Sequence, residues 1–196
     1  MIDLHQFFGT TSGVLTLAGL LLYAKSVVIG FTKPSQATWA IWTINSFLLL
    51  TSYSASGAKE TLWLAMGYAI GLSIITMLTM KFGERGWNWL DRLCLIGAVL
   101  GILLWWATGS PLTAFFASLI IDLFGVIPTI QKSWYHPKEE DKLSWSILLI
   151  GGVMSIFAIN KWSITIAVYP IQITITTALI VLFLFRRQFG DLPKNL

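Results

Sequence analysis

The stretch PLTAFFASLIIDLFGVIPTIQ, residues 111–131, decides the fold class of this chain. It can cross a bilayer, because a transmembrane helix needs about 20 mostly apolar residues. Its one charged residue is Asp122, near the middle. A carboxylate at the centre of a membrane helix costs about 2.5–3.5 kcal/mol on insertion scales. We therefore expect Asp122 to face a cavity, a partner or a moving proton instead of lipid.

The composition of the whole chain also predicts an integral membrane protein. Of its 196 residues, 56% are hydrophobic and only 11% are charged, whereas soluble domains average about 25% charged residues. We predict seven membrane spans, at residues 8–30, 37–56, 61–80, 89–108, 112–133, 143–160 and 162–185. Little chain lies outside them, so we expect no large soluble domain. The segment MIDLHQ carries no Lys or Arg, which is unlike the positively charged start of a signal peptide.

Basic residues indicate the orientation of these spans. With seven spans, one side of the membrane holds Lys59 and Lys161, and the other side holds the remaining eleven of the 13 Lys and Arg residues. The positive-inside rule then places the N-terminus outside and the C-terminus in the cytoplasm. This asymmetry accounts for the net charge of +4, so no nucleic-acid partner is predicted.

Other residue types argue against enzymatic and cofactor-dependent functions. Cys94 is the only cysteine, and the two histidines, His5 and His136, lie near the ends of predicted spans. These residues predict no disulfide framework and no metal site. The sequence has no phosphate-binding or dinucleotide-binding motif, so we predict no cofactor and no enzyme activity. It also has no N-glycosylation acceptor, which favours a bacterial inner membrane.

Two segments of the chain resemble each other. AKSVVIGFTKPSQATWAIW, starting at Ala24, and QKSWYHPKEEDKLSWSIL, starting at Gln131, both run from Lys-Ser through a proline-containing loop to a hydroxyl residue and a tryptophan. We therefore predict two three-helix repeats, residues 1–86 and 111–187, joined by a linker helix at 87–110 and followed by a cytoplasmic tail at 188–196. A single linker helix makes the repeats parallel, related by an axis along the membrane normal.

This arrangement of three, one and three spans resembles the SWEET and PQ-loop superfamily of small-solute transporters. The nicotinamide-riboside-type vitamin transporters are similar in architecture. Residues 125–132, GVIPTIQK, resemble a PQ-loop helix with Pro128 at the kink, although two residues separate Pro128 from Gln131. The first repeat has Leu22 and Tyr23 where that family would have a proline. The resemblance implies a solute-binding site between the two repeats.

Several polar and aromatic residues inside the spans are candidates for binding or coupling. Asn45 and Trp42 offer an amide and a flat indole face, which suit sugar, nucleoside or vitamin rings. Alternatively, Asn45 forms a hydrogen bond with a neighbouring helix. The full set of candidates is Asp122, Asn45, Trp42, Tyr68, Tyr169, Gln172 and Gln131.

Prolines, glycines and tryptophans have predicted structural roles. Pro128 and Pro170 each remove a backbone hydrogen bond within a span, so each is either a moving hinge or a static kink. Three glycines should allow close helix packing: Gly125, Gly151 and Gly152. Seven tryptophans near span ends are predicted to lie mostly in the interfacial belt: Trp39, Trp63, Trp87, Trp89, Trp134, Trp145 and Trp162.

Two classes of function remain open from the sequence. The first is a secondary transporter or facilitator that moves a small polar solute, such as a sugar, vitamin, nucleoside or amino-acid-like compound, by alternating access. Asp122 would then carry a proton or pair with a cationic group on the solute. The second is a non-transporting membrane receptor or assembly factor with the same fold. The expected partners are the solute and the lipid bilayer, and the sequence also allows a homo-oligomer.

Overall fold

The computed structural model describes residues 3–86 and 89–190. These residues form seven α-helices and one short 3₁₀ turn, Pro137–Glu139. The helices are α1 Leu4–Val28, α2 Gln36–Ala55, α3 Leu62–Phe82, α4 Trp89–Thr108, α5 Pro111–Tyr135, α6 Lys142–Phe157 and α7 Ile164–Gly190. The predicted all-α fold is therefore confirmed for the described part of the chain.

Four of these helices are long and apolar enough to cross a membrane: Leu4–Val28, Leu62–Phe82, Pro111–Tyr135 and the Ile164–Arg186 portion of α7. The other three fall short of the predicted seven spans for different reasons. Helix α6 has 16 residues, which reach about 24 Å at 1.5 Å per residue, less than a hydrocarbon core of about 30 Å. The apolar part of α4 is Leu95–Thr108. Helix α2 carries many hydroxyl residues, which lower its hydropathy.

Side-chain caps fix the starts of three helices. Asp3 accepts a hydrogen bond from the His5 backbone N–H at 3.0 Å, and Asp141 accepts one from Ser144 at 3.0 Å. Ser35 caps α2 in the same way. Such caps satisfy backbone donors that have no partner within the helix. At the other end of the described residues, α7 continues through Gly190.

Six helices form a closed ring in the order α1, α3, α2, α5, α7, α6. Each of them packs against the next, α6 packs against α1, and a smaller contact joins α3 to α6. Helix α4 lies outside the ring, against α5 and α2. The interior of the ring is consequently lined by all six of these helices.

Glycines let the helices of the ring approach closely. A Cβ at Gly67 of α3 would lie 2.7 Å from the Gly13 backbone oxygen of α1, and a Cβ at Gly151 of α6 would lie 2.8 Å from Thr16 Oγ1. Gly152 faces Thr174 of α7, and Gly125 of α5 faces the indole of Trp42. The predicted packing role of Gly125, Gly151 and Gly152 is therefore confirmed.

The loops lie at two opposite ends of the ring. We call the end formed by residues 29–35, 83–86 and 136–141 the basic end, since Lys25, Lys33, Lys81, Lys132, Lys138 and Lys142 lie in or beside these loops. Contacts between the loops hold it together: Ser35 forms a bridge with Glu84, and the Ser26 hydroxyl donates to Asp141. The opposite end consists of residues 56–61, 109–110 and 158–163.

Candidate functional site

A small cavity lies inside the ring. The central cavity has a volume of about 40 Å³ and receives side chains from all six ring helices. Its wall includes Trp39 and Trp42 of α2, Tyr68 of α3, Asp122 of α5 and Trp145 of α6. Helices α1 and α7 complete the wall with mostly aliphatic side chains. Three of the predicted candidates, Trp42, Tyr68 and Asp122, therefore lie on one cavity.

Asp122 is half-buried on the wall of this cavity. The Gln172 side-chain amide donates to Asp122 Oδ2 at 3.2 Å and to the Leu119 carbonyl at 3.0 Å, which joins α7 to α5. No Lys, Arg or His is among the residues that line the central cavity, and the ion pairs found within 3–86 and 89–190 do not involve Asp122. The carboxyl group thus has an amide donor but no cationic partner in the part of the chain that the structure describes.

The Trp42 indole is placed by a glycine on the facing helix. Trp42 is buried, and its ring packs directly on Gly125 of α5, where no side chain intervenes. Its Nε1 has no hydrogen-bond partner among the residues that the structure describes. A ring 5.5 Å away belongs to Trp39, which meets it edge to face. A side chain at residue 125 would displace this indole from the cavity wall.

Asn45 joins two helices and is not among the residues that line the central cavity. It is only 3% exposed, and its Nδ2 donates to the Ser118 carbonyl of α5 at 3.1 Å. Of the two roles that the sequence left open for Asn45, the structure shows the interhelical hydrogen bond. Trp42 lines the central cavity, whereas Asn45 is bonded to the neighbouring helix.

Tyr169 belongs to a buried cluster between the central cavity and the opposite end. The Tyr53 ring stacks on Phe115 at 5.1 Å and meets Tyr169 edge to face at 5.5 Å. The Tyr53 hydroxyl donates to the Ile166 carbonyl at 2.6 Å. Phe115 lies about two turns before Asp122 on α5. We call Tyr53, Phe115 and Tyr169 the aromatic plug, because these rings fill the ring of helices on that side of the cavity.

A much larger cavity opens at the basic end. This vestibule has a volume of about 610 Å³, and Tyr23, Trp39, Pro128 and Lys132 are among its lining residues. Trp39 lines both the vestibule and the central cavity. Its ring stacks on Tyr23 at 5.0 Å, and Tyr23 meets Trp145 edge to face at 6.2 Å. These three rings form an aromatic floor that separates the vestibule from the central cavity.

A buried carboxylate supports this floor from the basic end. Glu140 is 3% exposed. It accepts a hydrogen bond from Trp145 Nε1 at 2.9 Å and pairs with Lys132 Nζ at 3.1 Å. The run of charged residues at 138–142 is typical of a solvated loop, but Glu140 within it is buried. Glu139 beside it is exposed, and nothing in the sequence distinguishes the two glutamates.

The remaining candidates are spread over the molecule. Pro128 lines the vestibule within α5. Pro170 is buried in α7, where its carbonyl accepts a hydrogen bond from Thr174 Oγ1 at 2.7 Å. Gln131 is exposed and is not among the residues that line the vestibule or the central cavity. The structure therefore does not bring Gln131 to the site.

The tryptophans divide into two groups. Trp63, Trp89, Trp134 and Trp162 expose a large part of their surface, as expected of interfacial residues. Trp39 and Trp145 are 5% and 6% exposed and belong to the core, so the prediction of an interfacial position was wrong for these two. Trp87 lies outside the described residues.

The described residues contain no group of three or more His, Cys, Asp or Glu side chains that could hold a metal ion. The described residues form an all-α protein with four helices long and apolar enough to cross a membrane and with one carboxyl group on the wall of an aromatic cavity. No family model, curated protein or solved structure matches this chain.

Proposed function

We propose that this protein is a secondary transporter or facilitator that moves a small polar solute across the membrane by alternating access. The observation that carries the proposal is the position of Asp122, on a cavity to which all six ring helices contribute. A carboxyl group inside a membrane protein is costly and commonly marks a solute or ion pathway. The vestibule at one end and the aromatic plug at the other supply the two ends of such a pathway.

In this proposal, seven spans form two parallel three-helix repeats of the SWEET and PQ-loop type. The order of neighbours supports it, because α3 packs between α1 and α2 just as α7 packs between α5 and α6. The position of α4 outside the ring suits a linker helix. Helix α6 would then span with local bilayer thinning and help from flanking residues, which membranes allow at modest cost.

The excess of basic residues supports a cytoplasmic basic end, in a bacterial inner membrane, with the N-terminus outside. The vestibule would then open to the cytoplasm, and the aromatic plug would close the outer side. Transport requires the reverse state, in which the plug separates and the aromatic floor closes the inner side. Pro128, on the wall of the vestibule, is placed to serve as a hinge for that change.

Site-specific labelling tests the orientation. In a Cys94→Ser background, single cysteines beside Lys59 and Lys138 should react with a membrane-impermeant reagent from opposite sides of intact cells. Labelling beside Lys59 alone, until the membrane is permeabilised, is the expected result. Equal reactivity of both positions from outside would contradict the proposed topology.

Uptake into proteoliposomes tests transport itself. The purified protein would be assayed with a panel of labelled sugars, nucleosides, vitamins and amino acids, with and without a pH gradient. Asp122→Asn keeps the size of the side chain but not its charge. If Asp122 carries a proton, this variant should lose concentrative uptake but retain exchange. If it changes only stability, with uptake per folded molecule preserved, Asp122 has no part in the mechanism.

A receptor or assembly factor is the second candidate. The small volume of the central cavity, about 40 Å³, favours it, since such a space admits only water-sized groups before the helices move. Absence of uptake for every solute class in the panel, by protein that is folded and correctly oriented, would favour this alternative over transport.

A further inference from the structure

We propose that the central cavity, which has a volume of about 40 Å³ in this structure and widens when the ring helices move apart, binds a small organic cation, with the ammonium group beside Asp122 and against the aromatic rings of the wall. The inference rests on the proposed function in taking this cavity as the solute site. It goes further by naming the charge of the solute, which the sequence left open between neutral and cationic compounds.

The charge of the cavity wall is the first argument. Asp122 is the only acidic residue among those that line the cavity, and no basic residue lines it. Gln172 donates one hydrogen bond to the carboxyl group, but an amide carries no net charge. A buried carboxylate requires a compensating positive charge or a proton. A cationic ligand would supply that charge at the one place in the cavity where it is missing.

The aromatic wall is the second argument. Four of the lining residues are aromatic: Trp39, Trp42, Tyr68 and Trp145. The face of an aromatic ring attracts an ammonium group, and tryptophan does so most strongly. Aromatic rings around one carboxylate form a typical site for organic ammonium ions, because the rings tolerate the alkyl groups that the carboxylate does not contact.

The polar groups of the wall suit a neutral polyhydroxylated ligand poorly, because Trp42 Nε1 is a single free donor and the hydroxyls of the wall threonines are already bonded. Thr176 and Thr177 line the cavity, but their hydroxyls donate to carbonyls of their own helix at 3.0 Å and 2.7 Å. A sugar needs several hydrogen-bonding partners when it leaves water, and each unpaired polar group is costly. Asn45, the amide that would suit a sugar, is bonded to Ser118 instead.

The test uses two cations and a neutral comparison. Labelled methylammonium and choline would be titrated against the purified full-length protein in detergent, with binding read by filtration and by tryptophan fluorescence. 3,3-Dimethyl-1-butanol is the uncharged isostere of choline. We expect saturable binding of at least one cation, and binding of the isostere weaker by about tenfold or more, because the uncharged isostere lacks both the attraction to the carboxylate and the attraction to the aromatic ring faces.

Three variants connect binding to the cavity. Asp122→Asn should weaken cation binding to the level of the neutral isostere, whereas Asp122→Glu should retain part of it. Glu139→Gln removes an exposed carboxylate that lines the vestibule but not the central cavity, and this variant should bind as the wild type does. Equal losses in Asp122→Asn and Glu139→Gln would overturn the inference, since the effect would then come from surface charge.

Failure of this inference is distinguishable from failure of the transport proposal. If neither cation binds at neutral or alkaline pH, or if the isostere binds equally well, the cationic solute is refuted, and uptake of neutral solutes into proteoliposomes still decides transport. If sodium or potassium displaces the cations at equal concentration, the site is one for inorganic ions and the inference is again refuted. If cations bind with the expected dependence on Asp122 but none is taken up, the inference stands without transport.

Discussion

Replacement of Glu140 by alanine should destabilise the protein more than any change at its neighbour Glu139. Glu140 is 3% exposed and is bonded to Trp145 Nε1 and Lys132 Nζ at 2.9 and 3.1 Å. Its removal leaves an indole N–H and an ammonium group without this acceptor. These contacts connect α5 to the start of α6, so their loss should also loosen the aromatic floor.

The magnitude follows from these two contacts. A hydrogen bond to a charged acceptor contributes about 1.5–3 kcal/mol, and breaking a buried ion pair costs about 3–5 kcal/mol. The Lys132 side chain keeps 26% of its surface exposed, so water can hydrate its ammonium group. We therefore expect a loss of about 3 kcal/mol for Glu140→Ala, below the sum of the two effects. Glu140→Gln keeps an acceptor for Trp145 and should lose about 1 kcal/mol.

Thermal unfolding in mild detergent, followed by tryptophan fluorescence, measures the effect. For a chain of this size, 1 kcal/mol corresponds to a Tm change of about 2–4 °C, so Glu140→Ala should lower the Tm by about 6–12 °C. Glu139→Ala is the matched control, since its side chain is 61% exposed and surface substitutions usually stay within about 0.5 kcal/mol.

A double-mutant cycle with Lys132→Ala isolates the ion pair. If the ion pair forms, the losses of unfolding free energy in the two single variants should add up to more than the loss in the double variant, by about 1 kcal/mol or more. A coupling energy near zero, or equal Tm values for Glu140→Ala and Glu139→Ala, would refute the reasoning.

Two further substitutions test the packing of the ring. Gly67→Ala should destabilise the protein by about 1–3 kcal/mol, because the new Cβ would lie 2.7 Å from a backbone oxygen of α1. Ser73→Ala on the same helix is the control and should be close to neutral. Equal Tm values for the two variants would count against close packing of α1 on α3. Tyr53→Phe should lower the free energy of unfolding by about 0.6–1.7 kcal/mol, the range for hydrogen bonds in membrane proteins. Exposed Tyr135→Phe is the control and should leave it unchanged, as measured by unfolding in SDS. An unchanged unfolding free energy for Tyr53→Phe would show that the hydroxyl contact is not formed.

Much of the helical pattern could be predicted from hydropathy alone. The predicted spans 37–56 and 89–108 agree with α2 and α4 to within one residue, because turn residues and charges bound these apolar runs. The orientation of Asp122 towards a cavity instead of lipid was also predictable, because a charged group in the hydrocarbon core is costly. The short α6 was not, because hydropathy does not show where Ala158 ends the helix.

The residues around the cavity were harder to predict, because their roles depend on tertiary contacts. A tryptophan near the end of a span suits both the interface and a core, and only the packing of Tyr23 against Trp39 decides between them. Likewise, the burial of Glu140 depends on Lys132, eight residues away across a turn. Asn45 was predicted as a ligand or a helix contact, and the choice required the position of Ser118.

Helix α2 contributes a ring to each end of the proposed pathway, Trp39 to the aromatic floor and Tyr53 to the aromatic plug. These residues are 14 positions apart, or about 21 Å along the axis. Asn45, roughly midway between them, ties the helix to α5. A rigid rod held near its middle is a lever: a tilt that draws one ring away from its neighbours presses the other towards its own. One tilt of α2 would then move the aromatic floor and the aromatic plug in opposite directions, with no relay of contacts through the protein.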